Sequence, residues 1–461
     1  MTEHSATAIA AAIRERRLDP QAIAIQALGR AQATQNRLNA FTRIDREKAL
    51  AEAATIPARL AAGEHLPLAG VPLIVKDNIW VGGWPITQGS RLFADHIAPR
   101  DAIAVERVRR AGAVIIGIGT CSEFACKGVT TTPLYGATRH PMNAELTPGG
   151  SSGGNAAALA DGVAPLALGT DAGGSSRRPP AHCGIVGFKP SQDAVPHPFG
   201  FPEPFWGITC ISPMARNVRD ATILFDVIAR RDARDPESRE ISVLAASGQR
   251  KIATDAMLGL DAPADTFALQ AFAAAMDALH DMAGCAFFIA APFWPHPDKI
   301  AILNDVQYAG LAALHGDSWR RTPGMIDPDI CVQIERGMSM TGAQVAASLE
   351  VSREVRLAAA AFFANYDLMI SLTAPCMAWR HDQLGPAEIG GKPVNPRGHT
   401  MLTPLWNHAH CPAISIPCGH GPGGLPIGLQ IAGPIGADHA VLAFAAEAEK
   451  ALAEAGLWIA S

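Results

Sequence analysis

Two glycine–serine turns and one lysine stand out in this sequence for the chemistry they could perform. The turns are GGSSGG at residues 149–154 and DAGGSSRR at residues 171–178, and Lys76 ends the apolar run GVPLIVK. Glycine lets main chain approach a ligand closely, and a serine hydroxyl becomes a nucleophile once a base accepts its proton. A lysine can be that base when burial lowers its pKa and leaves the amine neutral.

Each of these segments also has a plainer interpretation. A flexible linker is rich in glycine and serine, but these turns flank a helical run at 155–161 and an apolar, strand-like run at 163–168, which disfavours a linker. A phosphate-binding loop would need a GK[ST] sequence, which the turns lack. Taken alone, Lys76 is better explained as an exposed lysine, or as one paired with Asp77, than as a base.

The order and spacing of the segments resemble the amidase signature family. The matching segments are GVPLIVKDN at 70–78, GGSSGG at 149–154 and GTDAGGSSRRPPAHCGIVGFKP at 169–190. Ser151 and Ser175 lie 24 positions apart, as in that family, and the likeness continues to GLPIGLQ at 424–430. It implies an α/β fold, an α/β/α sandwich with a large mixed central sheet, and an enzyme that hydrolyses amides.

The resemblance also implies a role for each residue of the two turns. Ser175 corresponds to the nucleophile, Ser151 to a bridging serine that follows a cis peptide bond, and Lys76 to the base. Neutral Lys76 would take the proton of Ser151, which takes the proton of Ser175 and later returns it to the leaving nitrogen. Backbone N–H groups would form the oxyanion hole; they belong to Ala172, Gly173, Gly174 and Ser175.

Three further residues are candidates for substrate binding. Malonamidase-like members of the family carry arginine at the position of Arg178, where its fork could hold a substrate carboxylate. A structural ion pair with a nearby Asp or Glu explains Arg178 equally well. Phe205 and Trp206 lie in a loop with prolines at 196, 198, 202 and 204. These aromatics could line a substrate pocket or cover the core.

Composition restricts the partners and the compartment. The net charge of −5 gives no basic surface for nucleic acid, and no apolar run is long enough to cross a membrane. Nine cysteines are scattered without CxxC spacing, and no signal peptide is recognisable, so we expect a cytoplasmic protein. We expect no cofactor, and no metal at His399, His408 and His410, because acidic or histidine partners with zinc-site spacing are missing.

The chain alternates helical patterns with short apolar runs, which is typical of an α/β layer fold. We expect one domain over residues 1–461, with a signature core at about 65–190. Between about 193 and 345 the pattern loosens, and we assign this region to shaping the substrate pocket. A homodimer is a common outcome in the family and stays open.

The leading hypothesis is a metal-independent hydrolase of a small linear amide that releases ammonia or an amine. The alternative is the glutaminase (A) subunit of a tRNA-dependent amidotransferase, which shares the whole signature and would need partner subunits. A non-catalytic binding protein is disfavoured by the complete Lys76–Ser151–Ser175 set. The sequence leaves the identity of the amide open.

Overall fold

A computed structural model describes residues 5–241 and 249–458. The strands are β1 (Phe41–Ile44), β2 (Pro72–Lys76), β3 (Val114–Gly119), β4 (Thr131–Thr132), β5 (Gly136–Ala137), β6 (Leu166–Asp171), β7 (Val186–Lys189), β8 (Cys210–Ala215), β9 (Arg250–Thr254), β10 (Cys285–Ile289), β11 (Leu368–Leu372), β12 (Glu388–Ile389), β13 (Lys392–Pro393), β14 (Ala413–His420) and β15 (Pro426–Ala432).

The helices alternate with these strands along the chain. They are α1 (Ala6–Arg14), α2 (Pro20–Leu38), α3 (Arg46–Ala61), α4 (Ile103–Arg110), α5 (Gly153–Ala160), α6 (Arg178–Cys183), α7 (Val218–Ile228), α8 (Thr266–Leu279), α9 (Pro297–Ile300), α10 (Asn304–Arg321), α11 (Pro328–Met338), α12 (Gly342–Phe363), α13 (Pro404–His408) and α14 (Asp438–Glu454). Within residues 5–241 and 249–458, no helix has the length and apolar character that a membrane span requires.

One large sheet organises the molecule. In the described residues it contains 11 strands in the order β1-β3-β2-β6-β8-β7-β14-β15-β11-β9-β10. β2 pairs in parallel with both β3 and β6, whereas β8 pairs antiparallel with both β6 and β7. The prediction of a large mixed central sheet is confirmed.

Helices cover both faces of the sheet. In β2, Leu73 and Val75 belong to one hydrophobic core together with residues of α1, α4 and α7. Ile74 belongs to a second core with residues of α2, α3 and α5. Successive side chains of a strand point to opposite faces, so this alternation places one helical layer on each side. The α/β/α layering follows from it.

The region from 193 to 345 is more regular than the sequence pattern indicated. It contains the helices α7, α8, α10 and α11 and the strands β8, β9 and β10. The proline-rich loop at 196–206 forms neither helix nor strand, as expected. Helices α10 and α11 pack against each other and form one side of the cavity described below.

Candidate active site

The parallel pair β2 and β6 positions the base. Val75 of β2 lies opposite Leu168 of β6 in the register, so the two strands end at the same edge of the sheet. Lys76 is the last residue of β2, and Thr170 is the next-to-last residue of β6. Because carboxyl ends of parallel strands meet at one edge, the lysine amine and the threonine hydroxyl converge there.

Lys76 is fully buried and points at the bridging serine. Its Nζ lies 2.8 Å from Ser151 Oγ and 2.8 Å from Thr170 Oγ1. Burial, which disfavours the charged ammonium, lowers the pKa of Lys76 to about 8. Asp77 does not pair with it, since that carboxylate accepts hydrogen bonds from the backbone N–H groups of Thr87 and Gly89. Lys76 is therefore suited to act as a base near neutral pH.

The two predicted serine turns place their second serines away from the cavity. Ser176 Oγ donates to the Thr170 carbonyl at 3.0 Å, and Ser152 Oγ does so at 3.4 Å. The peptide bond between Gly150 and Ser151 is cis, as the resemblance implied. Ser152 and Ser176 thus anchor the two turns to the end of β6. This structural contact distinguishes them from Ser151 and Ser175.

An ion pair inside the second turn fixes its shape. Asp171 Oδ1 and Oδ2 accept from Arg177 Nη2 and Nε, both at 3.0 Å, and both side chains are fully buried. Burial alone would raise the pKa of Asp171, but the Arg177 charge and hydrogen bonds outweigh it and hold that pKa well below its usual range. Asp171 also accepts from the Ser176 backbone N–H at 3.1 Å. The structural ion pair considered for Arg178 is thus made by its neighbour Arg177.

Three of the four predicted oxyanion donors are available. The Gly174 N–H donates to Asp171 Oδ1 at 2.7 Å and is already used. The N–H groups of Ala172, Gly173 and Ser175 donate to none of the residues that the structure describes. Gly174 has φ +111°, and a Cβ there would lie 2.2 Å from Thr403 Oγ1. The absence of a side chain at Gly174 therefore lets the turn pass close to Thr403. The candidate oxyanion donors are reduced to the N–H groups of Ala172, Gly173 and Ser175.

Ser175 opens onto a cavity of about 270 Å³. Its hydroxyl makes no hydrogen bond within residues 5–241 and 249–458, and its side chain is 7 % exposed. The lining combines the second turn with residues from α10, α11 and the loop before α13. The predicted substrate-shaping region contributes Phe205, Asn304 and Gln333, among others. Of the three candidate catalytic residues Lys76, Ser151 and Ser175, only Ser175 thus lines the cavity.

The three predicted substrate-binding residues differ in burial and in the cavity they line. Phe205 and Arg178 line the Ser175 cavity, and both are buried. Arg178 Nη1 donates to the Gly173 carbonyl and to Thr403 Oγ1, while its Nε has no partner. Trp206, whose backbone is left-handed with φ 50°, is 60 % exposed and lines a separate surface depression. The prediction that Trp206 lines the cavity is not met.

The three histidines considered for a metal make separate contacts. His399 Nδ1 lies 3.0 Å from the Pro396 carbonyl oxygen, His408 Nδ1 2.9 Å from Ser352 Oγ, and His410 Nε2 3.0 Å from Arg356 Nη1. In the described part of the chain, no cluster of three metal-ligating side chains is found. These rings are held by neighbouring groups rather than by one another.

Thr170 is the residue that the sequence analysis missed. Its hydroxyl accepts from Lys76 Nζ and from Asn78 Nδ2, the latter at 2.9 Å, and so joins the ends of two strands. The only signal in the sequence was its position directly before Asp171, after the apolar run at 163–168.

Comparison with known proteins places this geometry in a family. The Amidase family model matches residues 23–442. The chain belongs to the amidase signature family. The (A) subunit of the glutamyl-tRNA(Gln) amidotransferase of Deinococcus radiodurans is 31% identical, and the alignment covers 96% of each chain. An acylamidase of Rhodococcus erythropolis is 32% identical over 96% of this chain and 94% of its own length.

Solved structures agree with this assignment. A bacterial aryl acylamidase of the amidase signature family superposes with a TM-score of 0.88 and 26% identity, over 97% of this chain and 96% of that one. The fold is that of the family, and the protein is an amidase, an enzyme that hydrolyses amide C–N bonds.

Proposed function

We propose that the protein hydrolyses a small linear amide through an acyl-enzyme on Ser175. The observation that carries this proposal is the buried contact of 2.8 Å between Lys76 Nζ and Ser151 Oγ, beside a cavity lined by Ser175. A cavity of about 270 Å³ is slightly smaller than usual ligand pockets, which run from roughly 300 to 1,000 Å³, and favours a small substrate.

The chemistry proceeds in two steps. Neutral Lys76 accepts the proton of Ser151, Ser151 accepts that of Ser175, and Ser175 Oγ attacks the amide carbonyl carbon. The N–H groups of Ala172, Gly173 and Ser175 stabilise the resulting oxyanion.

The second half of the reaction returns the protons. Ser151 donates a proton to the leaving nitrogen as the C–N bond breaks and takes one from Lys76, which becomes neutral again; ammonia or an amine is released. Water then attacks the ester carbonyl carbon of acyl-Ser175 and gives a proton through Ser151 to Lys76. As the bond from the carbonyl carbon to Oγ breaks, that proton returns through Ser151 to Ser175 Oγ, and the carboxylic acid is released. No metal or cofactor takes part in the proposed route.

Arg178 and Phe205 are assigned to substrate binding within this proposal. Both line the cavity with Ser175, and Arg178 has no carboxylate partner among the described residues. We further propose that the chain works as one domain, with residues 65–190 supplying the chemistry and residues 193–345 supplying part of the cavity wall. The unpaired cysteine pattern favours the cytoplasm as its compartment.

The test is ammonia or amine release by the purified chain from a panel of neutral alkyl and aryl amides, carboxylated monoamides, urea derivatives and glutamine. Turnover of at least one simple amide by the chain alone, absent in Ser175→Ala, is the expected result. Failure with every amide, or equal turnover by Ser175→Ala, would contradict the proposal.

A second function is favoured by the similarity to the Deinococcus amidotransferase component. In that case the chain would release ammonia from glutamine as one part of an assembly that acts on tRNA. Glutamine as the sole substrate, turned over efficiently only after the other amidotransferase components are added, would select this function over the first.

A further inference from the structure

A second cavity lies at the opposite end of the parallel strands from Lys76. It has a volume of about 460 Å³ and is enclosed by α1, α2, the turn at 162–165 and Pro72, the first residue of β2. A strand rises about 3.3 Å per residue, so roughly 13 Å of β2 separate this cavity from the proposed base. We call it the α1–α2 cavity. None of the candidate catalytic residues lines it.

The charged side chains of the α1–α2 cavity are cations. Arg17, Arg30 and Arg216 line it, and among the described residues that line it none carries a carboxylate. Arg17 is exposed and is paired with Glu15, which lies outside the cavity. Arg30 is half-buried, and its Nη1 donates to the Gly162 carbonyl oxygen at 3.0 Å. The hydrogen bond orients this guanidinium without neutralising it.

The positive charges of Arg30 and Arg216 repel each other. In residues 5–241 and 249–458, no carboxylate lies within 4.0 Å of Arg30. Burial, the largest cause, lowers the pKa of Arg216; Asp220 opposes this lowering, and the charge of Arg30 adds to it. An anion between the two guanidinium groups would reduce their repulsion. Guanidinium is well matched to a carboxylate, because its N–H groups can meet both oxygens.

The rest of the lining is mostly apolar. Ile9, Leu18 and Ile23 contribute aliphatic side chains, and the alanines of α1 and α2 are too small to fill the space between the helices. Among the described lining residues, Gln26 is the one uncharged polar side chain. A ligand that matches these walls has one anionic end and an apolar body. The volume suits a small molecule, because ligand pockets run from roughly 300 to 1,000 Å³.

We propose that the α1–α2 cavity binds a small apolar monocarboxylate, with its carboxylate between Arg30 and Arg216 and its body against Ile9 and Ile23. Hydrolysis of an amide releases a carboxylic acid, so the amidase activity itself supplies anions of this class. The proposal goes beyond the proposed function, because it concerns a site remote from Ser175 and does not depend on turnover.

The main test is calorimetric titration of 4-bromobenzoate into Gln26→Glu and a matched control. Gln26 is exposed and lies four residues before Arg30 on α2, so a carboxylate introduced there can pair with that arginine and repel the ligand. Gln32→Glu adds the same charge to α2 outside the cavity. Binding should weaken roughly tenfold or more in Gln26→Glu and by less than about twofold in Gln32→Glu. Equal binding by wild type and Gln26→Glu would overturn the proposal.

Matched ligands test which features the cavity recognises. 4-Bromobenzyl alcohol has the same apolar body without the charge, whereas acetate and inorganic phosphate have the charge without the body. Each should bind to the wild type at least roughly tenfold more weakly than 4-bromobenzoate. Phosphate or the alcohol binding as tightly as 4-bromobenzoate would contradict the assigned ligand class.

Two measurements distinguish this site from the cavity beside Ser175. Arg178→Gln should keep most of the affinity for 4-bromobenzoate; loss there, with full binding by Gln26→Glu, would place the ligand beside Ser175 and overturn the proposal. In wild-type crystals soaked with 4-bromobenzoate, the anomalous signal of bromine should lie between α1 and α2. A bromine peak only beside Ser175, or no peak, would refute the site without any variant having to fold.

Discussion

The proposed proton relay behind Ser175 and the cavity wall formed by α10, α11 and the loop before α13 are built in opposite ways. On one side, Lys76, Ser151 and Thr170 are almost completely buried, and Lys76 Nζ contacts both hydroxyls. On the other, Arg397 is only partly buried and is held by Asn304 and Gln333, which come from separate helices. The buried residues restrict motion and solvation around the proposed proton relay. The cavity wall presents charge and hydrogen-bonding groups to a bound molecule.

We infer from this difference that the buried residues perform the chemistry and that the cavity wall binds the substrate. A base with a lowered pKa needs a dry, rigid environment, which two parallel strands and two tight turns provide. Recognition needs only a shaped wall, which several loops and helices can contribute. We therefore expect substitutions of Lys76, Ser151 or Thr170 to alter kcat. Substitutions of Arg397, Asn304 or Gln333 should alter KM.

The largest effect should come from Ser175→Ala. Removing the nucleophile is expected to lower kcat about 10⁴-fold or more, because the Ser152 and Ser176 hydroxyls are held by the Thr170 carbonyl and do not replace it. Ser176→Ala is the matched control, since the Ser176 hydroxyl donates to the Thr170 carbonyl. Steady-state rates of ammonia release check both variants. Comparable losses in the two would remove the distinction between the serines.

Next in size is Lys76→Ala. Loss of the base should lower kcat about 10²- to 10⁴-fold with little change in KM. In the wild type, kcat/KM should rise about tenfold per pH unit below about 8 and level off above it, because only the neutral amine accepts a proton. The rise should disappear in Lys76→Ala. A profile that persists in the variant would assign the titration to another group.

Substitutions of the adjacent Arg177 and Arg178 should differ in their effect on the free energy of unfolding. Arg177→Leu leaves the buried Asp171 carboxylate without its ion pair and should lower the free energy of unfolding by about 3 kcal/mol. Arg178→Leu strands no carboxylate within the described residues and should cost clearly less. Urea unfolding of both variants at pH 7 measures the difference. Equal losses would mean that Arg178 has a structural role as large as that of Arg177.

The smallest of these effects concerns Thr170→Val. The shape is kept, but Lys76 loses a hydrogen-bond acceptor at 2.8 Å, which should lower kcat about tenfold. Because that acceptor favours the ammonium form, its loss should also move the rise of the pH profile to lower pH. An unchanged rate and profile would show that Ser151 alone positions the lysine.

The contact between Lys76 and Ser151, and the nearby Ser175 turn, could be anticipated because these candidate residues lie in short contiguous motifs. Lys76, Ser151 and Ser175 are each embedded in a glycine-rich or strand-ending pattern whose spacing is informative. Thr170 was missed, since its role depends on β6 lying parallel to β2, and the sequence does not state strand order. The apolar run GVPLIVK indicated β2, and the apolar run at 163–168 indicated β6, which begins three residues later, at Leu166.

The recognition side could not be predicted in the same way. Asn304, Gln333 and Arg397 are distant in sequence and meet only through the packing of α10, α11 and the loop before α13. Phe205 and Trp206 are neighbours in a proline-rich loop without periodicity, so no pattern indicates which one faces inward. Only the folded chain shows that the buried Phe205 lines the cavity with Ser175 and that the exposed Trp206 lines another depression.

The central claim is that Ser175 becomes acylated with Lys76 acting through Ser151. The most direct test is rapid acid quench of the enzyme during turnover of an activated aryl amide, followed by mass spectrometry of the digested protein. The account predicts one acyl group on Ser175, strongly reduced in Lys76→Ala and Ser151→Ala and absent in Ser175→Ala. An acyl group on Ser151, Ser152 or Ser176, or full acylation without Lys76, would contradict it.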